Sequence, residues 1–369
     1  MHSVDVIVVG AGVVGLACAR RFSSAGYETL VLESEGSFGK GVSSRSSEVI
    51  HAGIFYPEHS LKARLCIQGR EDLYAYCESR DISHKQIGKW IVATDENQVK
   101  DLIAIRDNAH RNGCVEVDFI NRADLKRLAP DLRCTAALFS PRTGIIDSHG
   151  LMQSFVADIE SFNGAIAYRS KMRSAAPTTW GGFVVVLDDP EGTTIETRLL
   201  INSAGLSAPQ VANSIEGFSV AIPKAGYAKG HYFTYSGRVP FPRLVYPVPE
   251  AAGLGIHLTY DLAGKARFGP DVEWVESPDY AVRLDLRDKF AAAIKKYWPN
   301  VDAERLQPAY AGVRPKLLRG SAFEKDFVVQ GEAHHGIPNL WNLLGIESPG
   351  LTASLALAEY VFSTHRNLV

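Results

Sequence analysis

The sequence predicts an α/β fold in two parts: a parallel, nucleotide-binding domain built from discontinuous stretches, and a second, mostly antiparallel β domain. Three observations carry this expectation. The chain opens on a β-α-β unit containing a glycine triplet, residues 216–280 hold many prolines that a buried parallel sheet would not accept, and the chain ends on a second strand-turn-helix unit. At about 150 residues per domain, 369 residues suffice for two or three. With 46% hydrophobic and 22% charged residues, the composition excludes a wholly disordered chain. Lys and Arg total 39 against 41 Asp and Glu, so no general positive field exists to hold nucleic acid.

The first element is Val4–Val9, a nearly continuous apolar run of the kind buried in a parallel sheet. Gly10-Ala-Gly12-Val-Val-Gly15 follows, then a helix from Leu16 to Ser24 and a strand from Glu28 to Leu32 that ends in Glu33. This is GxGxxG in its proper setting. Gly10 permits the turn, Gly12 lets the backbone approach a pyrophosphate, and Gly15 lets helix and sheet pack closely. The helix N-terminus offers amides to a diphosphate, and Glu33 is placed to accept from an adenosine ribose. The unit is therefore Rossmann-like; its carboxylate disfavours NADP and leaves FAD and NAD open.

Further on, Ser60 is a candidate N-cap for a helix whose apolar face (Leu61, Leu65, Leu73, Tyr76) is interrupted at Gly69. Helices are expected over Val99–Asn112, from the Asn121 cap to Leu128, and over His149–Phe162, with a strand over Lys89–Ala93. Gly182–Leu187 and Thr193–Leu200 read as a hairpin, leading to Ala204-Gly205 as a second nucleotide contact. Arg283–Tyr297 reads as an amphipathic helix stopped by Pro299. Ala309–Pro315 is expected to set Arg314 in a glycine-rich bend, and Leu351–Ser363 to form the last helix. The expected boundaries are 1–86, 141–215 and 310–369 for the nucleotide domain, and 87–140 and 216–309 for the substrate domain.

Five scattered cysteines without a CxxC pair indicate neither a disulfide framework nor a zinc site, and fit a reducing, cytoplasmic setting. The apolar run Val6–Ala19 is shorter than the about 20 residues of a membrane span, so no transmembrane segment is expected. Peripheral contact with the inner face of a membrane stays open. His334-His335 lacks supporting ligands and reads as a solvated loop; no metal site is expected.

Several blocks together resemble a known family. They are Ser43-Ser-Arg-Ser-Ser-Glu-Val-Ile-His51-Ala-Gly53-Ile-Phe-Tyr-Pro57, Ser60–Cys66, Val245–Pro249, Gly255–Thr259, Ala311–Leu317 and Gly345–Thr352. In order and over nearly the whole length, the chain is similar to the FAD-dependent D-amino-acid oxidase and glycine oxidase superfamily. Within it, the chain resembles the L-2-hydroxyglutarate dehydrogenases and oxidases. The resemblance implies a glycine-oxidase-type fold, noncovalent FAD, and oxidation of L-2-hydroxyglutarate, a small 2-hydroxy dicarboxylate, to 2-oxoglutarate. Oxygen, a quinone or an electron-transfer protein would then take the electrons. An amine or amino-acid oxidase of the glycine or sarcosine type, and a non-catalytic FAD-binding protein, are the competing readings.

The implied FAD contacts are Gly10, Gly12, Val13, Val14, Gly15, Glu33, Ser34, Ser43, Ser44, Arg45, Ser46, Ala204, Gly205 and Gly312, then the last turn. That turn comprises Gly345, Ile346, Glu347, Ser348, Pro349, Gly350, Leu351 and Thr352. Arg314 is the expected ligand of the substrate carboxylate, since a guanidinium grips a carboxylate with two parallel bonds. His257 is the expected base and His51 its competitor. Tyr56, Lys229 and Tyr246 are expected to help hold a carboxylate. Glu347 is expected to shape its turn and not to act in catalysis, because a carboxylate there would oppose charge developing on a reduced flavin.

Overall fold

A computed structural model describes residues 2–249 and 255–366. The apolar strand His2–Val9 lies at the centre of an eight-stranded sheet, with Thr29–Leu32 parallel on one side and Thr194–Asn202 parallel on the other. Thr194–Asn202 is shared lengthwise along its second edge. Its first half pairs antiparallel with Phe183–Leu187, giving the hairpin expected from sequence, and its last residues pair parallel with Leu340–Leu344. That fork brings the chain's end back to the sheet its beginning started. The parallel strands therefore finish side by side in Gly10, Glu33, Ser203 and Gly345, the end at which such sheets bind ligands.

Helices Val13–Ser23, Leu61–Ser79, Ser148–Ser161 and Gly350–Arg366 cover one face through a core that includes Leu16, Leu73, Phe155 and Leu357. Ser60 caps the second of these by accepting from the Ala63 amide, 3.1 Å away. That helix runs unbroken through Gly69, against the interruption expected there. A Cβ at Gly69 would lie 2.4 Å from the Thr352 carbonyl oxygen, so the glycine serves close contact with the last helix. The last helix begins at Gly350 and extends to Arg366, past the expected end at Ser363.

A ten-stranded sheet, mostly antiparallel, forms the second layer. Its spine is the long pair Lys224–Tyr235 and Leu306–Arg319. The bend expected around Arg314 is thus part of a paired strand, whose register shifts at Ala309, and the boundary expected at 310 falls inside that strand. Pro308 and Pro315 are tolerated within its pairing with Lys224–Tyr235. One face packs Trp90, Phe233, Val245 and Phe268 against Phe290, Ile294 and Trp298. The amphipathic helix is shorter than expected, Arg287–Lys295, preceded by a 3-10 turn over Leu284–Leu286. His334 and His335 close a short helix, Glu332–His335, in which His335 is buried, in place of the expected loop. No metal-binding cluster occurs among the described residues.

Candidate active site

Where the carboxyl ends of the parallel strands face the second sheet, a cavity of about 1470 Å³ opens. It exceeds the roughly 300–1,000 Å³ of common small-ligand pockets, enough for a dinucleotide and a small acid together. At one end, Gly10 (φ 102°), Gly12, Val13 and Val14 line it. An ideal Cβ on Gly15 would stand 2.0 Å from the Gly10 carbonyl oxygen, so only glycine lets the helix start this close to the sheet. The Val13 amide donates to Ser43 Oγ at 3.0 Å. Glu33, nearly buried, accepts from the Ala11 amide at 2.7 Å and, through its other oxygen, from the Glu35 amide at 2.9 Å. The Ser34 hydroxyl also donates to it at 3.3 Å, and the carboxylate lines the cavity. A glycine cradle, helix amides and an acid at the second strand's end together fit the adenosine and diphosphate of FAD.

The same cavity is lined by Ser34, Ser43, Arg45, Ser46, Ala204, Gly205, Gly312, Ile346, Glu347, Ser348, Pro349, Gly350 and Leu351. It is not lined by Gly15, Ser44, Gly345 or Thr352; Ser44 is exposed to solvent and Thr352 is buried behind the wall. Thr352 Oγ1 accepts the His51 amide at 3.0 Å and donates to the Val49 carbonyl, tying the last helix to the segment carrying His51.

The wall beyond is built by strand parity. Ala228, Gly230 and Tyr232 share one face of their strand, and Gly312, Arg314 and Lys316 one face of its partner, and all six line the cavity. Lys229 has the opposite parity. It is buried, paired to Asp279 and absent from the cavity wall, so the expectation that it holds a substrate carboxylate is corrected. Arg314 has only the Asp271 carbonyl, 3.4 Å from Nη2, and no acid pairs with its guanidinium among the described residues. Tyr246 stacks on His257 with ring centroids 3.6 Å apart, and both line the cavity.

His51 lines it too, with Nε2 3.1 Å from Ser348 Oγ. Desolvation, then the nearby charge of Lys89, pull its imidazole down to about 3, so it is neutral at any working pH. Burial raises the Tyr56 hydroxyl well above its ordinary value, keeping it a neutral donor. Glu347 is buried between Lys62, 3.1 Å away, and Lys316, 2.5 Å away. Burial alone would raise its carboxyl, but the two ammonium groups outweigh that and hold it below its ordinary value. Neither lysine stood out in the sequence; that Lys316 shares a face with Arg314 shows only once the strand pairing is known. Tyr232 was missed as well; its hydroxyl meets Ser47 Oγ at 2.8 Å.

Comparison with known proteins agrees with this geometry. The family model described as FAD dependent oxidoreductase matches residues 5–363. The mitochondrial L-2-hydroxyglutarate dehydrogenase of Arabidopsis thaliana is 42% identical over 97% of this chain and 82% of its own length. The human protein of that name is 30% identical, over 97% and 88%. Among solved structures, an FAD-bound L-alpha-glycerophosphate oxidase from Mycoplasma pneumoniae superposes with a TM-score of 0.90, at 21% identity, covering 99% of this chain and 95% of that one. Glycine oxidase from Geobacillus kaustophilus gives 0.83 at 18% identity, covering 100% and 95%. These two bear on the fold, which is of the glycine oxidase type. The cofactor is FAD, and the chain belongs to the family of FAD dependent oxidoreductases.

Proposed function

We propose that the protein oxidises L-2-hydroxyglutarate to 2-oxoglutarate. The observation that carries this reading is Arg314, a guanidinium without an acid partner among the described residues, in the cavity that also holds the cofactor cradle and His257. Arg314 binds the substrate's C1 carboxylate through two parallel bonds, which also fixes C2 in place. His257, held flat against Tyr246, takes the hydroxyl proton as the C2–H bond breaks. Bound FAD supplies the acceptor for the departing hydride. Tyr56 and Tyr246 keep the wall neutral and desolvated around the reacting carbon, and the helix beginning at Gly350, whose first residues line the cavity, would offer its positive end to charge gained when bound FAD is reduced. Lys62 and Lys316, two cations on one carboxylate, more than offset the Glu347 charge that would oppose it.

Oxygen, a quinone or an electron-transfer protein would serve as the final electron acceptor. No described helix is long and apolar enough to cross a membrane, so a membrane-bound acceptor would be met at the surface. All five cysteines are free, in keeping with a reducing setting such as the cytoplasm; the relatives above are named mitochondrial. Product analysis with an artificial electron acceptor tests the substrate. One 2-oxoglutarate per L-2-hydroxyglutarate consumed is expected, and ammonia released from glycine with no turnover of the hydroxy acid would replace this reading with the amine one.

A further inference from the structure

Lys89 is a buried cation for which the fold provides no acid. It opens the strand Lys89–Ala93, in which Trp90 and Val92 face the core beneath the Arg287–Lys295 helix while Ile91 and Ala93 face the opposite side. Alternation puts Lys89 on that opposite side, beside Tyr246 of the neighbouring parallel strand. The residue is 1% exposed. Its Nζ lies 4.5 Å from the Tyr246 ring centroid and 4.9 Å from that of Phe55, and among the described residues no carboxylate pairs with it. Both rings line the cavity, as does His51, which feels the Lys89 charge. Burying a lone ammonium is costly, and this one, which does not itself line the cavity, lies against two rings that do, so that a ligand there would bring the anion.

We propose that Lys89 is a specificity-determining residue, its ammonium acting from behind the Phe55–Tyr246 wall as the counter-charge for the substrate's second carboxylate. The proposal rests on the hydroxy-dicarboxylate reading above. A dianion has one carboxylate left after Arg314 takes the other. Of the other cations along the cavity, Lys62 and Lys316 share Glu347, Lys171 pairs with Asp188 and Arg45 stacks on the Tyr280 ring, while Lys40 and Arg173 belong to segments whose backbones bond the nucleotide cradle at Ala11 and Glu33. Burial lowers the free Lys89 ammonium to about 7, so a bound dianion restores its proton and binding takes up protons above neutral pH.

The test compares anaerobic cofactor reduction of the wild-type, Lys89→Met and Lys89→Gln holoenzymes by L-2-hydroxyglutarate and by L-2-hydroxyvalerate, which has the same carbon chain without the second carboxylate. The ratio of the two second-order reduction constants, kred/Kd, should fall about a hundred-fold in both variants. Calorimetric titration of the wild type with glutarate at pH 8, in buffers of differing ionisation enthalpy, should show proton uptake that Lys89→Met lacks. An unchanged ratio, an equal loss for both acids, or glutarate binding without proton uptake would overturn the assignment. A wild-type cofactor unmoved by L-2-hydroxyglutarate would instead bring down the substrate reading, and the Lys89 assignment with it.

Discussion

Arg314 and His257 divide recognition from proton transfer, and the two roles separate in experiment. Replacing Arg314 with Met removes two charge-assisted hydrogen bonds to the substrate carboxylate, about 3 kcal/mol, and should lower kcat/KM roughly a hundred-fold while FAD stays bound. Steady-state kinetics beside the protein's visible spectrum would check both halves. His257→Ala should slow anaerobic cofactor reduction by about 10²–10⁴-fold. Unchanged stopped-flow rates in that variant would hand the proton to His51. At this scale type and spacing left Arg314 and His257 open, and the resemblance singled them out; with His51 and Tyr246 they line one cavity. It misled at Lys229, whose neighbours Ala228 and Gly230 face the cavity while it faces away, because parity is set by the strand pair and not by the residue. Lys89 passed unnoticed because an isolated lysine at a strand's start looks solvated until its neighbours are known.

Close approach between elements depends on a few residues without side chains. Gly69 and Thr352 bring the Leu61–Ser79 and Gly350–Arg366 helices together, and Thr352 in turn holds the His51 amide. Gly69→Ala, a gain in intrinsic helix propensity on an exposed surface, should therefore destabilise here by about 1–3 kcal/mol through overpacking. Urea denaturation would show it as a lower midpoint; a raised midpoint would contradict this account of the helix contact. The periodic helices and the β-α-β unit were readable because their patterns are local. The glycine-rich stretch around Arg314 was misread as a bend because Gly312 and Pro315 are locally poor strand residues. Their place in the sheet follows from the twelve-residue strand opposite, Lys224–Tyr235, which no local pattern reveals.

Across the whole molecule, Glu347 links the two layers, since Lys62 belongs to a helix of the first and Lys316 to a strand of the second. Its carboxyl is held below the ordinary 4.5 in the folded protein. The stabilisation is therefore fully present above that pH and is lost as pH falls through the lower folded value. Glu347→Gln should be less stable than wild type near neutrality, with the difference shrinking under acid; a difference constant with pH would contradict the link. The two-part architecture was legible from the ends of the chain and the prolines between them. The alternation of the two parts along the chain was expected too; the fork was not, because it depends on Thr194–Asn202 accepting two different partners along one edge. The central claim is that this cavity joins FAD to a small hydroxy dicarboxylate, and an anaerobic spectral titration of the purified protein tests it most directly. Bleaching of the visible flavin band by L-2-hydroxyglutarate, and not by its D-isomer, glycine or sarcosine, is the predicted result. A flavin bleached by glycine or sarcosine and untouched by the L-hydroxy acid would contradict it.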